Sequence, residues 1–384
     1  VTATTETLPL LLRHKLRLPS GSAHVAACSI APRTVDVDEA IARMLDDLSR
    51  PGFWQACEQQ VTEARILFAR LIGADVEQIA VLPNASVAAH QAAAGRRWRR
   101  RGDILTSHAE FPGIAHTWLA QPGARVRWCG TPATVRTGDY LSHITPRTAL
   151  VSVPAVTYRD SRCLDVARIA DTAHAAGAAV FVDAYQAAGV MPLDVDALHC
   201  DYLVTGTGKY LLGLPGLAFL YVRNPDGPRP TLTGWLGRAN PHAYHATVLD
   251  FPPHARRYET GTPAVAAVYA AVAGLSMVHG LDLRQVRRHT QRMVFGLATR
   301  LATQGEIVRL AADVDTQGAH LALVEPHAEA MAAWLGHRGV IAAPRTGVLR
   351  LAAHAYTTTD DLDAVSEAVA SYRCRSRTRR GAAR

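Results

Sequence analysis

Long apolar runs, paired cysteines and metal-ligand clusters are all missing from this 384-residue chain, and each absence removes a class of protein. No stretch of about 20 consecutive apolar residues occurs, so no membrane-spanning helix is expected. The opening, VTATTETLPLLLRHKLRLPSG, has a short leucine run, but its basic residues follow that run. A secretory signal has the opposite order and a small-residue cleavage site, so the expectation is a cytoplasmic protein. Six cysteines (Cys28, Cys57, Cys129, Cys163, Cys200, Cys374) are scattered without CxxC spacing. In a chain of this size that argues for free thiols in a reducing compartment, against a disulfide frame or a zinc site. The seventeen histidines contain no HExxH and no tight cluster with cysteine, so no metal is expected. Internal repeats and low-complexity tracts are also absent.

Charge is sparse, with 19% Asp, Glu, Lys and Arg and a net +8. The final segment, RCRSRTRRGAAR (373–384), contributes six arginines and no acid, which leaves a nearly balanced body. Such an end reads as a solvated, disordered arm. GRRWRRRGD (95–103) is a second basic run, read as the solvated end of a helix. Nucleic-acid binding through these runs is the alternative, and it is not the preferred one.

What is present alternates. QACEQQVTEARILFARLIG (55–73) has helical apolar spacing and stops at Gly73. IAVLP (79–83) reads as a strand, SVAAHQAAAGRRWRR (86–100) as a helix, and DILTSH (103–108) and TALVSVPAV (148–156) as strands. LDVARIADTAHAAG (164–177) is a helix with a glycine stop, followed by strands AAVFVD (178–183), DYLVTG (201–206) and LAFLYV (217–222). Strands that are apolar throughout and separated by helices predict an α/β fold whose mostly parallel sheet is sandwiched by helices. Ligands in such sheets bind at the carboxyl ends of the strands, which gathers NAS, EFP, TYR, DAYQ and TGTGK around one crevice. From about residue 264 the pattern changes to two long helices (264–279 and 283–304), strands AHLALV and VLRLAA, and a closing helix (360–372). The expected organisation is an N-terminal segment (1–22), a large domain (23–262), a smaller C-terminal α+β domain (263–372) and the arginine-rich tail (373–384).

Two lone charges stand out in this frame. Asp183 ends one buried strand and Lys209 follows another, so both should face the crevice. A lysine in a partly apolar site loses proton affinity and becomes a nucleophile toward aldehydes. A nearby aspartate can hold a heteroaromatic nitrogen protonated. Pyridoxal 5′-phosphate (PLP) makes both demands. From spacing alone, a structural ion pair between Asp183 and Lys209 answers the pattern equally well.

The run FVDAYQAAGVMPLDVDALHCDYLVTGTGKYLLGLPG resembles the core of class V aminotransferase-fold PLP enzymes, the kynureninase and cysteine desulfurase branch of fold type I. The resemblance spans about 20–370. It implies that Lys209 forms the Schiff base, that Asp183 holds the pyridine nitrogen, and that Gln186 bonds the phenolic oxygen. PNASVAAH (83–90) matches the phosphate-holding turn through Ala85 and Ser86, where helix-start N–H groups suit an anion. A plain helix cap by Asn84 or Ser86 fits the same residues. Phe111 in EFPGIAHTW matches the aromatic ring stacked on the cofactor, a phenylalanine as in kynureninases where desulfurases have histidine. Trp235 in TGWLGR matches a kynureninase-type tryptophan near the phosphate. Thr262 in RYETGTP matches a residue given to the neighbouring subunit's phosphate site, which implies a homodimer with shared active sites. Arg350 in VLRLAAHAYTTTDDLDAV matches the arginine that grips the substrate carboxylate.

Departures from the family narrow the chemistry. Gly208 stands where histidine or tyrosine usually precedes the lysine, so a roomier site is expected. HRGVIAAPRTGVLRL (337–351) lacks the desulfurase cysteine, and Gly113 and Ile114 stand where kynureninases carry an acid. TGTGK is not a phosphate-binding P-loop, because the first glycine is missing and Tyr210 follows the lysine. The expected reaction is β-elimination from a sulfur-substituted amino acid (C–S lyase type), in secondary metabolism such as antibiotic biosynthesis. Transamination, decarboxylation-coupled oxidative deamination to an aldehyde, and kynureninase-like hydrolysis are the alternatives.

Overall fold

The computed structural model describes residues 12–382 except Ala94, Arg97, Arg99 and Arg100. The leucine run of the opening, apart from Leu12, lies outside the described residues, as do Ala383 and Arg384 of the tail.

A two-residue strand β1 (Ala23–His24) precedes the helices α1 (Val35–Leu48) and α2 (Phe53–Ile72). Seven strands then build the main sheet: β2 (Ile79–Leu82), β3 (Asp103–Ser107), β4 (Arg125–Cys129), β5 (Thr148–Pro154), β6 (Ala179–Asp183), β7 (Tyr202–Gly206) and β8 (Ala218–Val222). Their order is β2-β8-β7-β6-β5-β3-β4. Every neighbouring pair is parallel except those of β8, which runs antiparallel to β2 and β7. Helices α3 (Ala85–Ala93), α4 (Pro112–Leu119), α5 (Thr137–His143), α6 (Val166–Ala175) and α7 (Val195–Leu198) lie between these strands in the chain.

Strand residues alternate between two cores, as the pleat requires. Val180, Val182 and Leu203 pack with Ile169 and Phe68 on one face. Phe181, Val204 and Leu220 pack with Trp118 and Ala88 on the other. Both faces are therefore covered, which is why these strands carry near-continuous apolar runs.

After α8 (Val265–His279) and α9 (Leu283–Thr303), a smaller antiparallel sheet forms in the order β12-β13-β10-β9. Its strands are β9 (Val308–Arg309), β10 (His320–Val324), β12 (Ala343–Arg345) and β13 (Val348–Ala352), with β11 (Val340–Ile341) paired parallel to β1. Helices α10 (Ala328–Gly336) and α11 (Thr359–Ala382) complete this unit. Two segments pack across the expected boundaries. Ala23 and Val25 sit in the smaller unit's core, whereas Ala267, Val268 and Ala271 of α8 sit in the larger one.

Three sequence expectations are corrected. The helix read as 86–100 ends at Ala93, because Gly95 turns at φ 71° and Trp98 docks into the core. Arg101 donates to the carbonyls of Thr148 and Ala176, so at this residue the basic run is not a solvated helix end; Arg97, Arg99 and Arg100 lie outside the described residues. The tail read as disordered continues α11 to Ala382, and Arg373 pairs with Glu306 at 2.7 Å and with Glu325. Among the described residues, no single helix is long and apolar enough to cross a membrane.

Candidate active site

Because β2, β3, β5, β6 and β7 point the same way, their carboxyl ends share one edge of the sheet. Asp183 closes β6 and is buried. Its Oδ1 accepts the Tyr185 N–H at 2.9 Å. Burial pushes the Asp183 pKa up, and the Lys209 charge holds it down.

Lys209 lies three residues beyond β7. Burial pushes its pKa down to about 8, opposed by Asp183 and reinforced by the nearby Arg350 and Arg345. Its Nζ stands 5.4 Å from the Phe111 ring centre and 4.8 Å from that of Tyr185. Lys209 and Asp183 feel each other's charge but make no direct ion pair. A buried amine of lowered proton affinity with a carboxylate standing off from it is a reactive arrangement.

Glu110 had no role in the sequence reading, yet it is the second buried carboxyl here. Burial first, and then the charge of Asp183, push its pKa up to about 8. It accepts from Ser152 Oγ at 2.6 Å and from the Phe111 N–H at 3.0 Å. Two neighbouring buried carboxyls do not both ionise at neutral pH. Burial raises the proton affinity of both, and the Lys209 charge favours the ionised form of Asp183.

Arg350 comes from β13 of the smaller unit and is 1% exposed. Its Nη1 donates to the Tyr158 carbonyl at 2.9 Å. Nε and Nη2 are buried with no partner. A guanidinium with two idle buried donors is costly unless an anion completes it. Nearby His320 is fully buried, and burial, Arg350 and Lys209 hold it neutral.

Gln186 is buried and donates through Nε2 to the Cys28 carbonyl at 2.9 Å, leaving Oε1 unpartnered. At the start of α3, Asn84 Oδ1 caps the Val87 N–H at 3.1 Å. Ser86 Oγ donates to the Gly113 carbonyl at 2.9 Å. The backbone N–H groups of Ala85 and Ser86 open the helix and have no intrahelical acceptor. Phe111 packs edge-on against Tyr158, with ring centres 5.4 Å apart.

Trp235 and Thr262 are not brought to Lys209 within the protomer. They line a separate cavity of about 150 Å³ with Trp54, Cys57 and the buried Arg65–Glu259 pair. Gly208 does not open the site as expected. A Cβ there would lie 2.9 Å from Pro215 N and 3.0 Å from its Cγ, so Pro215 fills the space. Sequence reasoning missed Glu110, Tyr185, Arg345 and the carbonyl of Cys28. Each takes its meaning from neighbours distant in the chain.

The donor set fits PLP. N–H groups without an intrahelical acceptor at a helix start suit a phosphate, a buried carboxylate suits a protonated ring nitrogen, and a buried amine of lowered proton affinity suits an aldehyde.

A mostly parallel sheet with lysine and carboxylate at its carboxyl edge, joined by an arginine from a smaller antiparallel unit, is the architecture of PLP fold type I. The chain belongs to the aminotransferase class-V family, which matches residues 49–365. It is 34% identical over 343 residues to the uncharacterized aminotransferase YcbU of Bacillus subtilis (strain 168), covering 88% of this chain and 91% of that protein. It is 31% identical over 302 residues to a kynureninase of Deinococcus radiodurans, covering 76% of this chain and 72% of that protein. Among solved structures, the cystine C–S lyase C-DES bound to cysteine persulfide superposes with a TM-score of 0.82 at 20% identity, covering 91% of this chain and 98% of that one.

Proposed function

We propose that this PLP-dependent enzyme cleaves the Cβ–S bond of a sulfur-substituted amino acid by β-elimination, as a homodimer. When bound, PLP supplies an electron sink for the bonds at the substrate Cα. The chain's own groups do the rest. Arg350 takes the substrate carboxylate on its two idle donors. Lys209, about half of it free amine at pH 8, removes the Cα proton. Asp183 keeps a proton on the cofactor ring nitrogen, and protonated Glu110 spares Asp183 a second buried anion. The Cβ–S electrons leave on sulfur as a thiolate, and hydrolysis of the freed enamine gives pyruvate and ammonium.

One observation carries the choice of elimination. β12 and β13 pair with Arg345 opposite Val348, so only Thr346 and Gly347 connect them. That two-residue turn beside Arg350 leaves no loop to present a sulfur-accepting cysteine, and the sulfur departs with the product. The C–S lyase with the same fold is in keeping with this reading. Arg350 anchored to Tyr158 favours a fixed carboxylate, which counts against decarboxylation. Homodimerisation is supported by Trp235, an exposed tryptophan that lines its cavity with Thr262 away from its own Lys209.

The test is to incubate PLP-loaded protein with cysteine S-conjugates and with cystine, and to quantify pyruvate against the sulfur product, thiol from the conjugates and cysteine persulfide from cystine. Equal yields of both are expected. Keto acid without free thiol would assign transamination instead, an aldehyde would assign decarboxylation, and anthranilate from kynurenine would assign hydrolysis. Sedimentation velocity checks the dimer.

A further inference from the structure

We infer that the Tyr185 hydroxyl is a phosphate ligand of the cofactor site, reaching the first turn of α3 through the space that Gly206 leaves open. The inference rests on the PLP reading above.

Gly206 is the last residue of β7 and is not among the residues with positive φ, so its backbone makes no demand for glycine. The demand comes from a side chain. A Cβ on Gly206 would lie 2.6 Å from Cε1 and Cζ of Tyr185, and closer still to the hydroxyl. A glycine inside a strand commonly marks such a close approach.

Tyr185 and Ala85 pack against the same core at the start of α3, and the hydroxyl feels the backbone N–H of Ala85. This is the group expected to hold the phosphate. The other hydroxyl at this turn, Ser86, has its proton committed to the Gly113 carbonyl, and Asn84 Oδ1 is occupied by the Val87 N–H. Tyr185 therefore brings a hydroxyl beside that N–H, and among the described residues its proton makes no hydrogen bond to an acceptor. Burial and the Asp183 charge keep that proton on. A phosphate there would receive an O–H as well as backbone N–H groups. The backbone of Tyr185 is also tied to Asp183 Oδ1, so one residue spans the ring-nitrogen and phosphate ends of the site.

Tyr185→Phe removes the oxygen and keeps the ring that packs on Lys209. Dissociation constants for PLP, and for pyridoxal, which lacks the phosphate, are measured on the apoprotein by absorbance titration. The expected result is PLP binding weakened on the order of 10-fold or more, the range of one hydrogen bond to a charged group, with pyridoxal unchanged. Equal losses for both would mean a ring-packing role, and no change for either would mean no contact; both overturn the inference. If the phenylalanine variant does not fold, Tyr185→Ala is compared with Tyr185→Ala/Gly206→Ser, which returns a hydroxyl from the opposite side. Recovery of PLP binding over pyridoxal in the double variant is expected, and its absence overturns the inference. Wild-type protein that binds neither compound would instead defeat the cofactor reading itself.

Discussion

Replacing Lys209 with methionine should make the apoprotein more stable while abolishing cofactor attachment. Burial takes the lysine pKa from 10.5 to about 8 even with Asp183 opposing it. Between those values the unfolded chain binds the proton and the folded chain does not. Stability from this group therefore rises with pH across the window, and the full penalty stands below about pH 8. That gap amounts to about 3 kcal/mol, at about 1.4 kcal/mol per tenfold. Methionine keeps an unbranched chain without the charge. Asp183 then loses the cation that favours its ionised form, which returns part of the gain. A net stabilisation of about 1–2 kcal/mol at pH 7 is expected. Urea unfolding of both apoproteins should show a higher midpoint for the variant at pH 7, at equal slope, with the difference shrinking toward pH 10. A variant no more stable than wild type at pH 7, with a pH-independent difference, would refute the claim that Lys209 is held as a destabilised buried amine.

Arg350→Gln should raise KM for the amino acid on the order of 100-fold, with a smaller fall in kcat, because a buried carboxylate loses its charged partner; steady-state kinetics checks the split. Gly208→Ala should destabilise the protein by about 1–3 kcal/mol through overlap with Pro215, measured by urea unfolding. For Glu110 the folded pKa, about 8, lies above the ordinary 4.5, so stability from this group falls as pH rises through that interval. Glu110→Gln should flatten the decline in Tm between pH 5 and pH 8, and an unchanged slope would count against a protonated Glu110.

Much of the fold was legible because apolar runs such as VFVD have one physical outcome, a strand covered on both faces. β4 escaped notice because it lies at the edge of the sheet, where RVRWC keeps charged side chains toward solvent. The helix overrun past Ala93 came from reading alanine and arginine as helix formers without the docking of Trp98. The tail was misread for a related reason: Arg373 looks solvated until the half-turns bearing Glu306 and Glu325 fold against it. Within the site, Lys209 and Asp183 could be found as charges isolated in apolar segments, and Arg350 through the family resemblance of its strand. Glu110 and Tyr185 could not, because Ser152 and Gly206, which define them, sit far away in sequence.

The turn at Thr346–Gly347 makes loop length a selector of chemistry. Lengthening such a turn carries little entropic cost, so a handful of inserted residues ending in a cysteine could be grafted there without disturbing either strand. In that view the fate of sulfur, passed to a protein thiol or released into solvent, is written in how much chain lies between two paired strands.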